Sequence, residues 1–101
     1  MKKWPPGFIW DPRKAQSNLR KHRVSFLEAS EVFRDRFGRL RPDPDHEDRW
    51  IIVGSSNRDR LLTVVFQELD DTIRLISARR ATRRETNAYQ EAIQETGQAD
   101  E

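Results

Sequence analysis

Six arginines crowd one stretch of this chain. Arg74, Arg79, Arg80, Arg83 and Arg84 fall within residues 72–89, and Arg60 lies on the apolar segment just before. A guanidinium presents a flat fork of donors that meets carboxylate or phosphate oxygens two at a time. A corner that collects several of them suits a polyphosphate backbone. The plainer alternative is a solvated basic turn.

Groups that could move a proton are scarcer. His22 and His46 are the two histidines, the residue type that titrates near neutral pH. His22 ends a helical stripe, where capping or packing is the competing role. His46 sits in a polar loop. Glu85 has a structural explanation as a helix-capping residue, and Tyr89, one turn later, has one as a core residue. Ser77 has no His or acid at a spacing that would make it a nucleophile.

Composition narrows the class. The chain has 101 residues, one domain's worth, and no Cys. With two His and no Cys, neither a metal site nor another cofactor is expected. No apolar run reaches membrane-spanning length and no signal-like segment opens the chain, so a cytoplasmic protein is expected. The net charge is +2 and the pI about 9.4. The charge is uneven: bases dominate residues 13–41, whereas after Arg84 there are only acids. A basic working surface and an acidic tail follow.

The elements that must position these residues are legible from local signals. Residues 1–7 read as a flexible leader, 8–95 as the folded domain and 96–101 as an acidic tail. Phe8, Ile9 and Trp10 form a short strand. Asp11-Pro12 starts a helix over Pro12–His22, with Ala15, Leu19 and His22 on its inner stripe. Ser25 with Glu28, and Thr82 with Glu85, have the spacing of capping boxes and start two further helices. Residues 39–41 form a short edge strand. Strands over 50–56, 60–68 and 72–79 follow with short connections, so they form an antiparallel meander. The order is β-α-α-β-β-β-β-α, an α+β domain: a helical hairpin and a C-terminal helix on a twisted, mainly antiparallel sheet. One sheet face carries the helices, and the other lies open beside the arginines. Trp10 and Trp50 are expected to pack on helices, while Trp4, in the leader, is the candidate for an exposed partner contact. Strand alternation puts Arg74, Ile76, Ala78 and Arg80 on one face and Ile73, Leu75, Ser77 and Arg79 on the other.

Two runs taken together resemble the BrnT toxins. One is Trp10-Asp11-Pro12, Lys14-Ala15, Asn18-Leu19-Arg20-Lys21-His22 and Val24-Ser25-Phe26. The other is Arg74-Leu75-Ile76-Ser77-Ala78-Arg79, Ala81-Thr82, Glu85 and Tyr89, and between them stand Glu28, Asp35, Asp45-His46, the Gly54-Ser55-Ser56 turn and Arg60. The resemblance implies a RelE-like fold and a type II toxin–antitoxin toxin that cuts RNA to block translation. It also implies a partner, a BrnA ribbon–helix–helix antitoxin that neutralises the toxin and carries the pair to promoter DNA. Two positions depart from the pattern. Arg23 replaces a usual Gly, and must avoid a left-handed backbone. Phe66 stands where many relatives have His.

RNA cleavage by 2′-hydroxyl attack needs a base, an acid and stabilisation of the phosphorane charge. Arg60, Arg79, Arg80, Glu85 and Tyr89 are the catalytic candidates. Lys21, His22, Arg74 and Arg83 are the substrate-binding ones. Arg79 and Arg80 should differ, one holding phosphate and the other pairing an acid. Two other functions compete: a degenerate toxin that only binds its antitoxin, and a plain nucleic-acid-binding domain.

Overall fold

A computed structural model describes residues 3–99 of the chain. After strand β1 (Gly7–Ile9) comes α1 (Pro12–His22). The Asp11 carboxylate accepts the Arg13 N–H at 2.8 Å and caps it. Helix α1 ends at Arg23, whose backbone is left-handed (φ 59°), with its N–H donating to the Leu19 carbonyl at 2.9 Å. The departure at Arg23 therefore does not reroute the chain. A side chain occupies a conformation that costs it about 1–2 kcal/mol.

Helix α2 (Phe26–Glu31) runs into a 3₁₀ turn (Val32–Arg34). Ser25 Oγ accepts the Glu28 N–H at 3.0 Å, so the first half of the expected capping box is made. The Glu28 carboxylate turns instead to the sheet. Strands β2 (Arg39–Pro42), β3 (Trp50–Ser55), β4 (Leu61–Glu68) and β5 (Thr72–Arg80) then form the meander, and α3 (Arg83–Ala99) closes the fold. Helix α3 thus takes in most of the expected tail; Asp100 and Glu101 lie outside the described residues. The sheet order is β1-β5-β4-β3-β2, with β1 parallel to β5 and the other pairs antiparallel.

One irregularity governs which side chain faces where. Val65 pairs with Ser77 and Phe66 with Leu75, so Ile76 is an extra residue on β5. A bulge of this kind inverts strand parity beyond it. Ile73, Leu75 and Ala78 consequently share the core face with Leu62, Val64 and Phe66. Arg80, opposite Leu62, follows them, and Arg79, opposite Thr63, takes the other face. This corrects the uniform alternation expected from sequence.

Helices α1 and α2 cover the core face. Helix α3 lies on the other, with Glu85 bonded to Thr63 and Arg79, so the helices are split between the two faces. Phe66 is fully buried, edge-on to Phe33 at 4.9 Å and to Trp4 at 5.5 Å. Trp4 is thus a core contact rather than a free surface aromatic. The Phe66 departure concerns packing under the helices, and Phe66→Ala would cost about 3–5 kcal/mol. Trp10 packs edge-on to Phe26, whereas Trp50 is exposed.

Strand β1 stops opposite Arg74, leaving the β5 edge unpaired further on. Asn18 of α1 takes the missing strand's place. Its amide donates to the Ala78 carbonyl at 2.8 Å and to the Val24 carbonyl at 2.9 Å, and it accepts the Ala78 N–H at 3.0 Å. The inner face of α1 is therefore Ala15 and the buried Asn18, while Leu19 and His22 are exposed.

Candidate functional site

Arg79 leaves β5 toward α3 and meets Glu85 fork to fork. Its Nη1 donates to Oε1 at 2.8 Å and Nη2 to Oε2 at 3.1 Å. Glu85 is the third residue of α3, and here the capping box is complete. Thr82 N–H donates to Glu85 Oε1 at 2.8 Å, and Glu85 N–H donates to Thr82 Oγ1 at 3.2 Å. Thr63 Oγ1 on β4 adds a bond at 2.9 Å, and Arg41 Nη2 on β2 stands 3.5 Å from Oε2. Burial pushes the Glu85 carboxyl upward, but the bonds from Arg79, Thr82 and Thr63 outweigh it and bring its pKa from 4.5 to about 2. Glu85 is therefore ionised at neutral pH and a poor proton donor. What it does is hold the plane of the Arg79 guanidinium.

Beside this pair the sheet and helix leave a recess. A cavity of about 360 Å³ lies between β2 and the first turns of α3, lined by Arg39, Leu40, Arg41, Val53, Arg84, Glu85 and Ala88. Arg39 Nη1 donates to the Ala88 carbonyl at 3.0 Å, which ties β2 to α3. A shallower recess beside it holds Arg83, Arg84, Asn87 and Glu91. Neither the Arg83 nor the Arg84 side chain has a polar partner among the described residues. Unpaired guanidiniums beside the positive end of a helix form a site for phosphate.

The structure brings only part of the expected set together. Arg79 and Glu85 meet at this corner, and Arg83 lines the shallower recess beside it. Arg80 is exposed, its side chain has no polar partner among the described residues, and it lies on the face that carries α1. Arg60 is on that face too, and its guanidinium is committed. Nε donates to Glu28 Oε2 at 2.9 Å, and Nη2 donates to Glu28 Oε1 and to the Arg23 carbonyl. The expected place of Arg60 at the corner is thereby corrected: it locks α2 to β4. Tyr89 is buried, and its hydroxyl donates to Asp35 Oδ2. Burial and then the Asp35 carboxylate push its pKa up, which keeps the phenol protonated. Asp35 also accepts the N–H of Ser55 at 2.8 Å and of Phe37 at 2.9 Å, so Tyr89 tethers α3 to the β3 edge. Arg74 pairs with Gln67, roughly 16 Å along β5 from Arg79. Lys21 and His22 line a separate groove of about 190 Å³ with Lys14, Ser17, Asn18, Ile76 and Ser77.

Arg39, Arg41 and Thr63 were not singled out from sequence, although alternation on a short strand does put both arginines on one face. Among the described residues no group of three or more His, Cys, Asp or Glu gathers as metal ligands would, and no helix is long and apolar enough to cross a membrane.

Comparison with known proteins agrees with this architecture. The family profile described as ribonuclease toxin, BrnT, of type II toxin-antitoxin system matches residues 10–85. The crystal structure of the Brucella abortus ribonuclease toxin BrnT superposes with a TM-score of 0.64 at 25% identity, covering 76% of this chain and 97% of that one. No curated protein sequence matches significantly.

Proposed function

This chain belongs to the BrnT family of ribonuclease toxins of type II toxin–antitoxin systems, and from that premise we propose that it is a metal-independent endoribonuclease whose working site is the corner between β5, β2 and α3. The observation that carries this reading is the Arg79–Glu85 fork with Arg41 and Arg84 beside it and Arg83 in the adjoining recess. Three contacts fix the Glu85 carboxylate, so the Arg79 guanidinium is oriented before any substrate arrives. A phosphorane formed by 2′-hydroxyl attack carries extra negative charge, and pre-oriented donors stabilise that charge without reorganising. Glu85 is a positioning residue in this scheme. Arg80, Lys21 and His22 on the other side of β5 hold RNA flanking the scissile phosphate. The toxin acts in the cytoplasm on messenger RNA. A BrnA-like ribbon–helix–helix antitoxin neutralises it, and the complex binds promoter DNA.

A second reading has one observation behind it: the acid at the corner is fully bonded and ionised, and no histidine stands there. A homologue that keeps antitoxin binding without cleavage would look the same. The test is purified protein with RNA in EDTA, with cut ends mapped, beside Arg79→Ala. Cleavage by the parent and its loss in the variant are expected. Intact RNA with folded parent protein selects the second reading.

A further inference from the structure

The edge of β2 has a different character on each side. The N–H of Asp43 donates to the Arg49 carbonyl at 3.1 Å, so the alternate residues Arg41 and Arg39 also turn their backbone groups toward β3. Leu40 then turns its N–H and C=O outward, where they have no partner among the described residues. Leu40 is 43% exposed and borders a notch of about 130 Å³ whose lining joins Trp4, Phe33 and Ile52 with Asp35 and Arg36. Arg39 and Arg41 project to the opposite face, beside Arg84. An unpaired strand edge invites another strand, and proteins blunt such edges with charge and proline. Pro42 and the two arginines do this here against a second copy, because antiparallel pairing through Leu40 would set Arg39 opposite Arg41.

The same charges favour an acidic visitor. We infer that the β2 edge is the docking site of a protein partner's extended segment, one that alternates apolar and acidic side chains. It pairs with the Leu40 backbone, puts an apolar side chain into the notch and sets carboxylates against Arg39, Arg41 and Arg84. Main-chain bonds supply the pairing and alternate side chains the specificity. Under the toxin reading, on which the partner's role as inhibitor rests, such a segment covers the arginine corner from its rim.

The probe is a short blocked peptide of alternating Glu and Leu, with a Lys–Leu peptide as control, added to the full chain. Expected are binding of the acidic peptide, slowed hydrogen exchange at the Leu40 amide, and affinity at least about tenfold weaker in Leu40→Asp. The double charge reversal Arg39→Glu with Arg41→Glu should transfer binding to the Lys–Leu peptide. Absent binding, binding that ignores Leu40→Asp, or an unprotected Leu40 amide overturns the inference. So does protection of that amide by self-association of the chain alone. Peptide binding with no RNA cleavage by the parent protein counts against the ribonuclease reading and leaves the docking site standing.

Discussion

The chain contains two carboxylate–guanidinium pairs with the same local origin and opposite uses. Glu28 and Glu85 each stand three residues after a hydroxyl cap, Ser25 or Thr82, and each meets an arginine on the sheet. Between Glu28 and Arg60 the side chains are 5% and 19% exposed; between Glu85 and Arg79 they are 13% and 41% exposed. The first pair is enclosed, with Ser56 Oγ donating to Glu28 Oε2 at 2.7 Å and the Arg23 carbonyl accepting from Arg60. The second opens onto further arginines. Enclosure makes one pair a lock, and openness makes the other a site.

Removing Glu28 should break this comparison most sharply. Glu28→Ala leaves the partly buried Arg60 guanidinium without its counter-ion, at a cost of about 2–3 kcal/mol. Glu85→Ala removes the carboxylate of a pair whose guanidinium is 41% exposed, and one arm of a cap, costing about 1 kcal/mol. Urea denaturation of both variants reads the difference, and equal losses would erase the distinction between lock and site. Next in size is Arg79→Ala. RNA cleavage should fall by about 10²–10³-fold with the denaturation midpoint little changed. A rate within a few-fold of the parent would move the chemistry away from the corner.

The pH dependence is a milder probe. The Arg60 bond lowers the Glu28 pKa against the upward push of burial, and Glu85 falls from 4.5 to about 2. Both folded pKa values lie below their ordinary ones. Their stabilisation is therefore complete above about pH 4.5 and lost as pH falls, for Glu85 toward pH 2. Glu85→Gln should flatten the stability profile between those limits, and an unchanged slope would show that the carboxylate gains nothing from its partners. The smallest effect belongs to the lock's edge. Arg23→Gly removes the strain of a left-handed side-chain-bearing residue while keeping the carbonyl that Arg60 bonds, and should add about 0.5–1 kcal/mol. Destabilisation instead would mean that the Arg23 side chain contributes more than the strain costs.

Local signals in the sequence determined a good deal. Asp11-Pro12 starts α1, Ser25 and Thr82 start the next two helices, and short polar connections enforce the meander. Each depends on hydrogen bonds spanning a few residues, so the residues themselves carry the information. The family resemblance was legible in the same runs. The tertiary structure decided the partners. The extra residue Ile76 inverts parity along β5, so Arg80 shares the core face with Ile73 and Leu75 and Arg79 shares the other with Arg74, groupings that uniform alternation misassigned. Glu28 reaches across to Arg60, Asn18 to Ala78 and Tyr89 to Asp35, over gaps in sequence with no periodicity to mark them. Trp4 looked free because nothing nearby in sequence covers it, yet Phe33 and Phe66 do. A guanidinium carries the same charge wherever it stands in the sequence. Whether it locks or binds depends on which face it takes and how far water is excluded there, and folding alone sets both.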